Sequence, residues 1–504
     1  MTEVQGGWVM LRLILAAMIV LGGFAASASE YIIKYKPNMM FSLNSMVGVQ
    51  MMDQHDKAQL MKVKIDNNQE IQTLDALHNN PAIEYVVKNF KLKAFRKPLN
   101  MTELREQWAL AKVNAERAWG LANNKGDRNV VVGVIDTGID YNHESLAPNM
   151  VPGYDFKDND NDPMDETGSR NPGHGTHCAG IIGATGLVAG GISGLSSHIS
   201  IMPIRFLGAD GGGDLMAGIR AIDYAIENGV DVISASWGAT IAASQAQPLI
   251  EAVKRASDAG VIFVSAAAND GRNNDATGVY PANADFDNTI TVAASDSGDA
   301  KASFSNYGKN KVHVAAPGVD IMSTIPNNQY RNLSGTSMAT PLVAGLVALL
   351  KSQNPELTGK NARALIQTTG AQVDIETACN CRIDAGEAMN ALLEQRMFIA
   401  PAAKTIAPNE TLSFDAVNAN GNVNWAVTNA SVGSIAADGT FTATANGETT
   451  ITATDSEGRM ASTLNIYVTD QAPQDPGGDC PLGDPALCQI LCGIQPDLPF
   501  CNGL

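Results

Sequence analysis

Between Val130 and Gly318 the chain carries six short, uninterrupted apolar runs: VVVGVID, ISIMPIRF, DVISASW, VIFVSAAAN, TITVAAS and VHVAAPG. A strand with one wet face alternates apolar and polar residues, so continuous runs of this length mean strands buried on both faces. Between them the period changes to that of helices. Leu215, Ile219, Ile222 and Ile226 keep helical spacing behind Asp214, a candidate N-cap, and Leu249 to Ala259 form a second amphipathic stretch. Buried strands alternating with helices predict an α/β fold built on a doubly wound parallel sheet.

The flanks have different textures. From Tyr31 to about Phe95, YIIKYK, LMKVKI, a helical stretch at Ile71–Leu77 and IEYVV predict a small α+β unit ending in the basic run KNFKLKAFRK. Taken alone, that run reads as a solvated linker; its charge, opposite to that of the acidic remainder, would also let it dock there. After about Met397 short alternating segments (TLSFDAV, NVNWAV, TFTATA, ETTITAT, STLNIYV) with turn signals such as Asp438-Gly439 predict an all-β sandwich, with Trp425 as its core aromatic. This part resembles the bacterial Ig-like domains appended to exported proteins. The expected division is 1–28 leader, 29–98 small α+β unit, 99–396 main α/β domain, 397–469 Ig-like sandwich and 470–504 linker and Cys-containing tail.

The leader follows from Leu13–Phe24, an apolar stretch too short to span a bilayer, and from Ala26-Ser27-Ala28, a small-x-small pattern ahead of Ser29. A secreted protein with no membrane anchor is expected. Export permits disulfides; of seven cysteines, four crowd the tail, Cys379 and Cys381 lie close together, and Cys178 is the candidate free thiol. A formal net charge of −18 argues against a nucleic-acid partner.

Three positions carry candidate chemistry. Asp136 ends the buried run VVVGVID, at the carboxyl edge of the sheet, where sites of open α/β folds gather. His174 stands between glycines at the start of a small-residue helix; His177, three residues on, invites a metal reading, for which no third ligand presents itself. Ser337 leads into the long apolar helix of NLSGTSMATPLVAGLVALL, where unpaired amides favour developing negative charge. A lone serine at a helix start is ordinarily a cap, so Ser337 counts only with partners. The order Asp, His, Ser excludes the α/β-hydrolase arrangement, and Ala339 stands where that elbow requires Gly.

Together VIDTGID, HGTHCAG and GTSMATP resemble the three signature blocks of the subtilisin-like serine proteases, nearest in motif to the thermitase and proteinase K side, over about Gln107 to Leu393. The resemblance implies a secreted serine endopeptidase made as a self-processing zymogen, with Ser337 as nucleophile, His174 as general base and Asp136 orienting it. Asn269 would complete the oxyanion site. Substrate would lie between Gly211, Gly212 and Gly213 on one side and Ser236, Trp237 and Gly238 on the other, with Ala267 and Ala268 at the pocket. Ala268 replaces the family's usual Gly, and Tyr280-Pro281 matches a position that usually carries a cis peptide. Partners would be protein or peptide substrates and the chain's own propeptide, acting as intramolecular inhibitor on a monomer, with self-cleavage between about Ala94 and Glu106. A structural calcium ion is implied at Asp155, Asp158, Asp160 and Asp162 in DFKDNDNDP. The competing expectation is a catalytically inactive surface or matrix protein that binds through its Ig-like module.

Overall fold

A computed structural model describes residues 28–37, 48–95, 107–189 and 191–470. The leader and the cysteine-rich tail expected from the sequence lie outside these residues. Among the described residues, no helix is long and apolar enough to cross a membrane.

Residues 28–89 form a unit of their own. Its antiparallel sheet runs in the order Val49–His55, Leu60–Asp66, Ala28–Tyr35, Ile83–Lys88, with the helix Glu70–His78 burying Leu74 and Leu77. The sequence pattern omits one of these strands. Val49–His55 is an edge strand of mostly exposed residues, so nothing apolar repeats along it, and pairing with Leu60–Asp66 is what extends it.

In the second unit all six apolar runs become strands of one nine-stranded sheet. Its order is Ala371–Gln372, Cys381–Arg382, Val314–Pro317, Thr289–Ser295, Ile262–Ala266, Val232–Ala235, Val131–Asp136, Ser200–Arg205, Tyr154–Asp155. Every neighbouring pair is parallel except the first two strands, a tight hairpin in which Cys379 and Cys381 are bridged. Successive side chains point to opposite faces. Val232, Val264 and Val292 thus share a core with the helices His174–Gly183 and Thr336–Gln353, while Ile233 and Phe263 point to the other face. There Leu215–Glu227 begins as expected, with the Asp214 carboxylate accepting from the N–H groups of Met216 and Ala217. The following helix is longer than its apolar period. Ala243–Asp258 starts six residues before Leu249, where the Gln245 side chain accepts from the Ala242 N–H.

From Val131–Asp136 the chain first adds a neighbour on one side, Ser200–Arg205, and then one on the other, Val232–Ala235. That reversal opens a crevice at the carboxyl ends of the strands, between Asp136 and Ser236. The C-terminal part consists of short, mostly antiparallel strands around Phe414, Phe441, Ile451 and Ile466. Trp425 is only half-buried at the margin of this core, so Phe414 and Phe441, rather than Trp425, are its central aromatics.

Candidate active site

Asp136 closes its strand, and its Oδ1 accepts from the Thr137 N–H and lies 2.7 Å from Nδ1 of His174, both side chains buried. His174 is the first residue of its helix, and what brings it so near is the residue after it. A Cβ on Gly175 would stand 2.1 Å from the Gly138 carbonyl, so only glycine lets this helix press onto the turn behind Asp136.

A second carboxylate ties these two segments together. Asp165 is wholly buried and accepts from the Thr137 hydroxyl at 2.9 Å, the Asn171 amide at 2.8 Å, and the Thr176 N–H and hydroxyl at 2.9 and 2.6 Å. Asn171 in turn accepts from the backbone N–H groups of Gly173 and His174. Burial pushes the Asp165 carboxyl up to about 6, against these hydrogen bonds, which pull it down. No sequence signal marks Asp165, which lies nine residues before His174 with no motif around it.

Ser337 is the second residue of the helix Thr336–Gln353. Its carbonyl accepts from the Ser236 hydroxyl at 3.0 Å and the Cys178 thiol at 3.4 Å. Cys178 is a buried thiol whose pKa is pushed well up by desolvation, so it is packing and no nucleophile. His177 donates through Nε2 to the Arg331 carbonyl, and burial lowers its pKa to about 3, which leaves it neutral and structural.

Across the cleft, Oδ1 of Asn269 accepts from both the N–H and the hydroxyl of Thr336. With the oxygen so engaged, Nδ2 faces the opposite way; it is buried and without a hydrogen-bond partner among the described residues. An orphaned buried donor is costly, and beside a serine at a helix N-terminus it suits a transient oxyanion.

The cleft is filled by the chain itself. Lys91–Ala94 forms an antiparallel strand between Gly212–Asp214 and Trp237–Thr240, with Leu92 opposite Gly213, Lys93 opposite Gly212 and Gly238, and Ala94 opposite Trp237. Ala94 donates to the Gly211 carbonyl and Phe95 to that of Ser236, each at 3.1 Å. All six expected wall residues therefore meet this strand through their backbone. The indole of Trp237 is turned into the core, where Nε1 donates to the Ile135 carbonyl at 2.7 Å. Lys91 and Lys93 point outward and Leu92 and Phe95 inward, so the segment is seated by backbone pairing and apolar side chains, and the basic charge expected to dock it faces away from the walls.

The Phe95 side chain lies among Ala266, Ala268, Val279 and Ala282. Ala268, at φ +89°, holds a left-handed conformation in which glycine would be unstrained. Ala267 does not belong to this socket. By strand alternation it faces Ala293, Val312, Ala315 and Ile375, while Ala266, Val279 and Ala282, which no sequence motif marks, line the socket. The expected cis peptide at Tyr280-Pro281 is present beside the socket. At its mouth the Ser337 hydroxyl donates to the Phe95 carbonyl, and also lies 3.1 Å from that of Ser236.

The four aspartates of the DFKDNDNDP loop do not close on one point. Asp155 is buried, accepts from the N–H groups of Lys157 and Asp158, and pairs with the Arg205 guanidinium, which also reaches Asp158 at 2.9 Å and Glu166 at 2.8 Å. Asp160 caps the Asp162 N–H, and Asp162 accepts from the Tyr141 hydroxyl at 2.7 Å, which raises that phenol to about 12. A fixed cation from the strand Ser200–Arg205 thus pairs with Asp155 and Asp158, two of the four residues expected to hold calcium, while Asp160 and Asp162 bond elsewhere. Among the described residues, the one set of three or more His, Cys, Asp or Glu side chains with mutually close ligand atoms is Asp136, His174 and Cys178.

Comparison with known proteins decides the family. The subtilase family model matches residues 127–386, slightly more than half the chain, and a bacterial Ig-like domain (group 2) model matches residues 401–466. The chain belongs to the subtilase family. It is 40% identical over 297 residues to the thermophilic serine proteinase of Bacillus sp. (strain AK1), covering 59% of this chain and 70% of that one. Thermitase of Thermoactinomyces vulgaris is 42% identical over 267 residues, 53% of this chain and 89% of thermitase. A halolysin-like extracellular serine protease of Natrialba magadii is 36% identical over 303 residues, 58% and 52% of the two chains. These relatives place this subtilase on the thermitase side of the family and make it a serine endopeptidase. The all-β part expected from the turn-rich C-terminal texture is the Ig-like domain.

Proposed function

We propose that this subtilase is an exported zymogen that hydrolyses proteins through Asp136, His174 and Ser337 and releases itself by cutting the Phe95–Arg96 bond. The hydroxyl of Ser337 adds to the substrate carbonyl while its proton passes to His174 Nε2. Asp136, bonded to Nδ1, holds the ring in the tautomer that leaves Nε2 basic and stabilises the imidazolium. The Asn269 amide and the Ser337 N–H take the oxyanion. Collapse breaks the C–N bond, His174 returns the proton to the departing amine, and an acyl-Ser337 remains, which water then hydrolyses by the same proton route.

The observation that carries this reading is the strand ending at Phe95, whose carbonyl meets the Ser337 hydroxyl between two paired backbone walls. Within the expected window of Ala94 to Glu106, that contact supports the Phe95–Arg96 bond as the one cut. The residues before it then serve as an inhibitory pro-segment. The alanine-lined socket around Phe95 supports a preference for a phenyl-sized apolar residue before the scissile bond. The family relationship to an extracellular protease and the N-terminal apolar stretch support export.

Labelling with a fluorophosphonate tests the reading. Folded protein freed of its pro-segment is expected to react at Ser337, and Ser337→Ala to stay unlabelled. Absence of label on such wild-type protein would overturn it.

A further inference from the structure

We infer that the Ig-like domain is a fixed brace for the segment that forms one wall of the Phe95 socket, held there by Lys404 on Asp285, rather than a separable binding module. The strand joining the two domains belongs to both cores. In Phe398–Ala400, paired with Asp415–Val417, Phe398 and Ala400 are buried with Leu357, Ala362, Leu365 and Ile366 of the protease, while Ile399 and the preceding Met397 are buried with Phe414 and Phe441 of the Ig-like domain. A period-two strand serving two cores in this way leaves no linker to flex.

Four residues beyond this strand, Lys404 reaches back to the protease. Its Nζ lies 2.6 Å from Oδ2 of Asp285, whose other oxygen takes Arg363 at 3.1 Å and His313 Nε2 at 3.3 Å. Asp285 sits on the stretch between the strands Val279–Tyr280 and Thr289–Ser295; Val279, at its entrance, and Ala282, on it, line the socket. The stretch is folded tightly on itself: the Asn283 N–H donates to the Val279 carbonyl at 2.7 Å and that of Ala284 to the Pro281 carbonyl at 2.9 Å. Arg363 adds hydrogen bonds to the carbonyls of Phe286 and Thr289. Asp285 is therefore the anchor of the stretch, and one of its two formal cations comes from the Ig-like domain. Removing that cation leaves a mostly buried carboxylate short of a partner, at the base of the socket wall. A second cross-domain pair, Lys360 with Asp415 at 2.6 Å, does not touch this stretch and serves as a control.

The specificity consequence rests on the protease reading above; the structural consequence does not. In the full chain, Lys404→Met is expected to speed amide hydrogen exchange across residues 279–289, and to lower the kcat/KM ratio of a Phe over an Ala peptide, each by about fivefold to tenfold. Lys360→Met is expected to change neither. Wild-type exchange and wild-type ratio in Lys404→Met, whatever its melting temperature, would overturn the inference. Equal effects of both variants would also overturn it, since general docking rather than the Asp285 contact would then be at work. Should the wild type cleave neither peptide, the protease reading fails, and the exchange measurement still decides the brace.

Discussion

The hydroxyl of Ser337 donates to the carbonyl of Phe95, a residue 242 positions earlier in the chain. Strand pairing on both sides fixes this register, because Leu92 and Phe95 face inward and a slip of one residue would turn both lysines into the walls. Under the proposed function, backbone geometry sets the bond offered to the serine, and the socket sets the residue before it.

Gly238→Ala tests the socket. A Cβ there would stand 2.8 Å from Cζ of Phe95 and 2.6 Å from the Tyr280 carbonyl, so the wall must intrude. The kcat/KM for a Phe peptide is expected to fall roughly tenfold to a hundredfold relative to an Ala peptide. An unchanged ratio from steady-state kinetics would rule out this wall.

Asn269→Ala removes the orphaned buried amide together with the Oδ1 that accepts from Thr336 at the helix start. Turnover is expected to drop on the order of 10²- to 10³-fold with KM nearly constant. A kcat close to that of the wild type would show that Nδ2 does not meet the oxyanion.

Asp165 makes stability depend on pH. Its folded carboxyl keeps a proton up to about 6, whereas an unfolded aspartate loses its proton near the ordinary value of about 3.9. Between those values the folded state binds more protons, so this group's contribution to stability is largest at low pH and declines as pH rises through the window. Asp165→Asn, in a Ser337→Ala background to prevent self-digestion, is expected to lose that decline. Urea midpoints at several pH values across the window measure it, and identical profiles for the two proteins would contradict it.

Arg205 is the cation of the acidic loop. Arg205→Met leaves Asp155 buried and unpaired, at an expected cost of roughly 3–5 kcal/mol. Adding Asp155→Asn is expected to restore part of the loss, because the uncompensated charge goes with it. Thermal unfolding of the single and double variants checks both, and a single variant as stable as the wild type would refute the pairing.

What the sequence made legible is what burial and backbone spacing dictate: six apolar runs became the sheet, and Asp214 capped its helix. The Asp136–His174 pair met because each sits where a strand or helix end must put it. Features set by distant partners were hidden. Val49–His55 is a strand only because a neighbour pairs with it, and alternation within an all-Ala run has no visible phase, which hides the turn of Ala267 away from the socket. The aspartates after Tyr154 look like a cation site in one dimension; that Arg205 pairs with two of them depends on a parallel register between strands some 50 residues apart. The half-buried Trp425 and the strand shared by two cores likewise depend on packing that local pattern does not encode.

The most direct test is the N-terminus of protein made in a protease-deficient host, read by mass spectrometry for the wild type and for Ser337→Ala. Wild-type protein is expected to begin at Arg96 and the variant to retain the Phe95–Arg96 bond. A Ser337→Ala protein that also begins at Arg96 would contradict the proposal that this serine opens that bond.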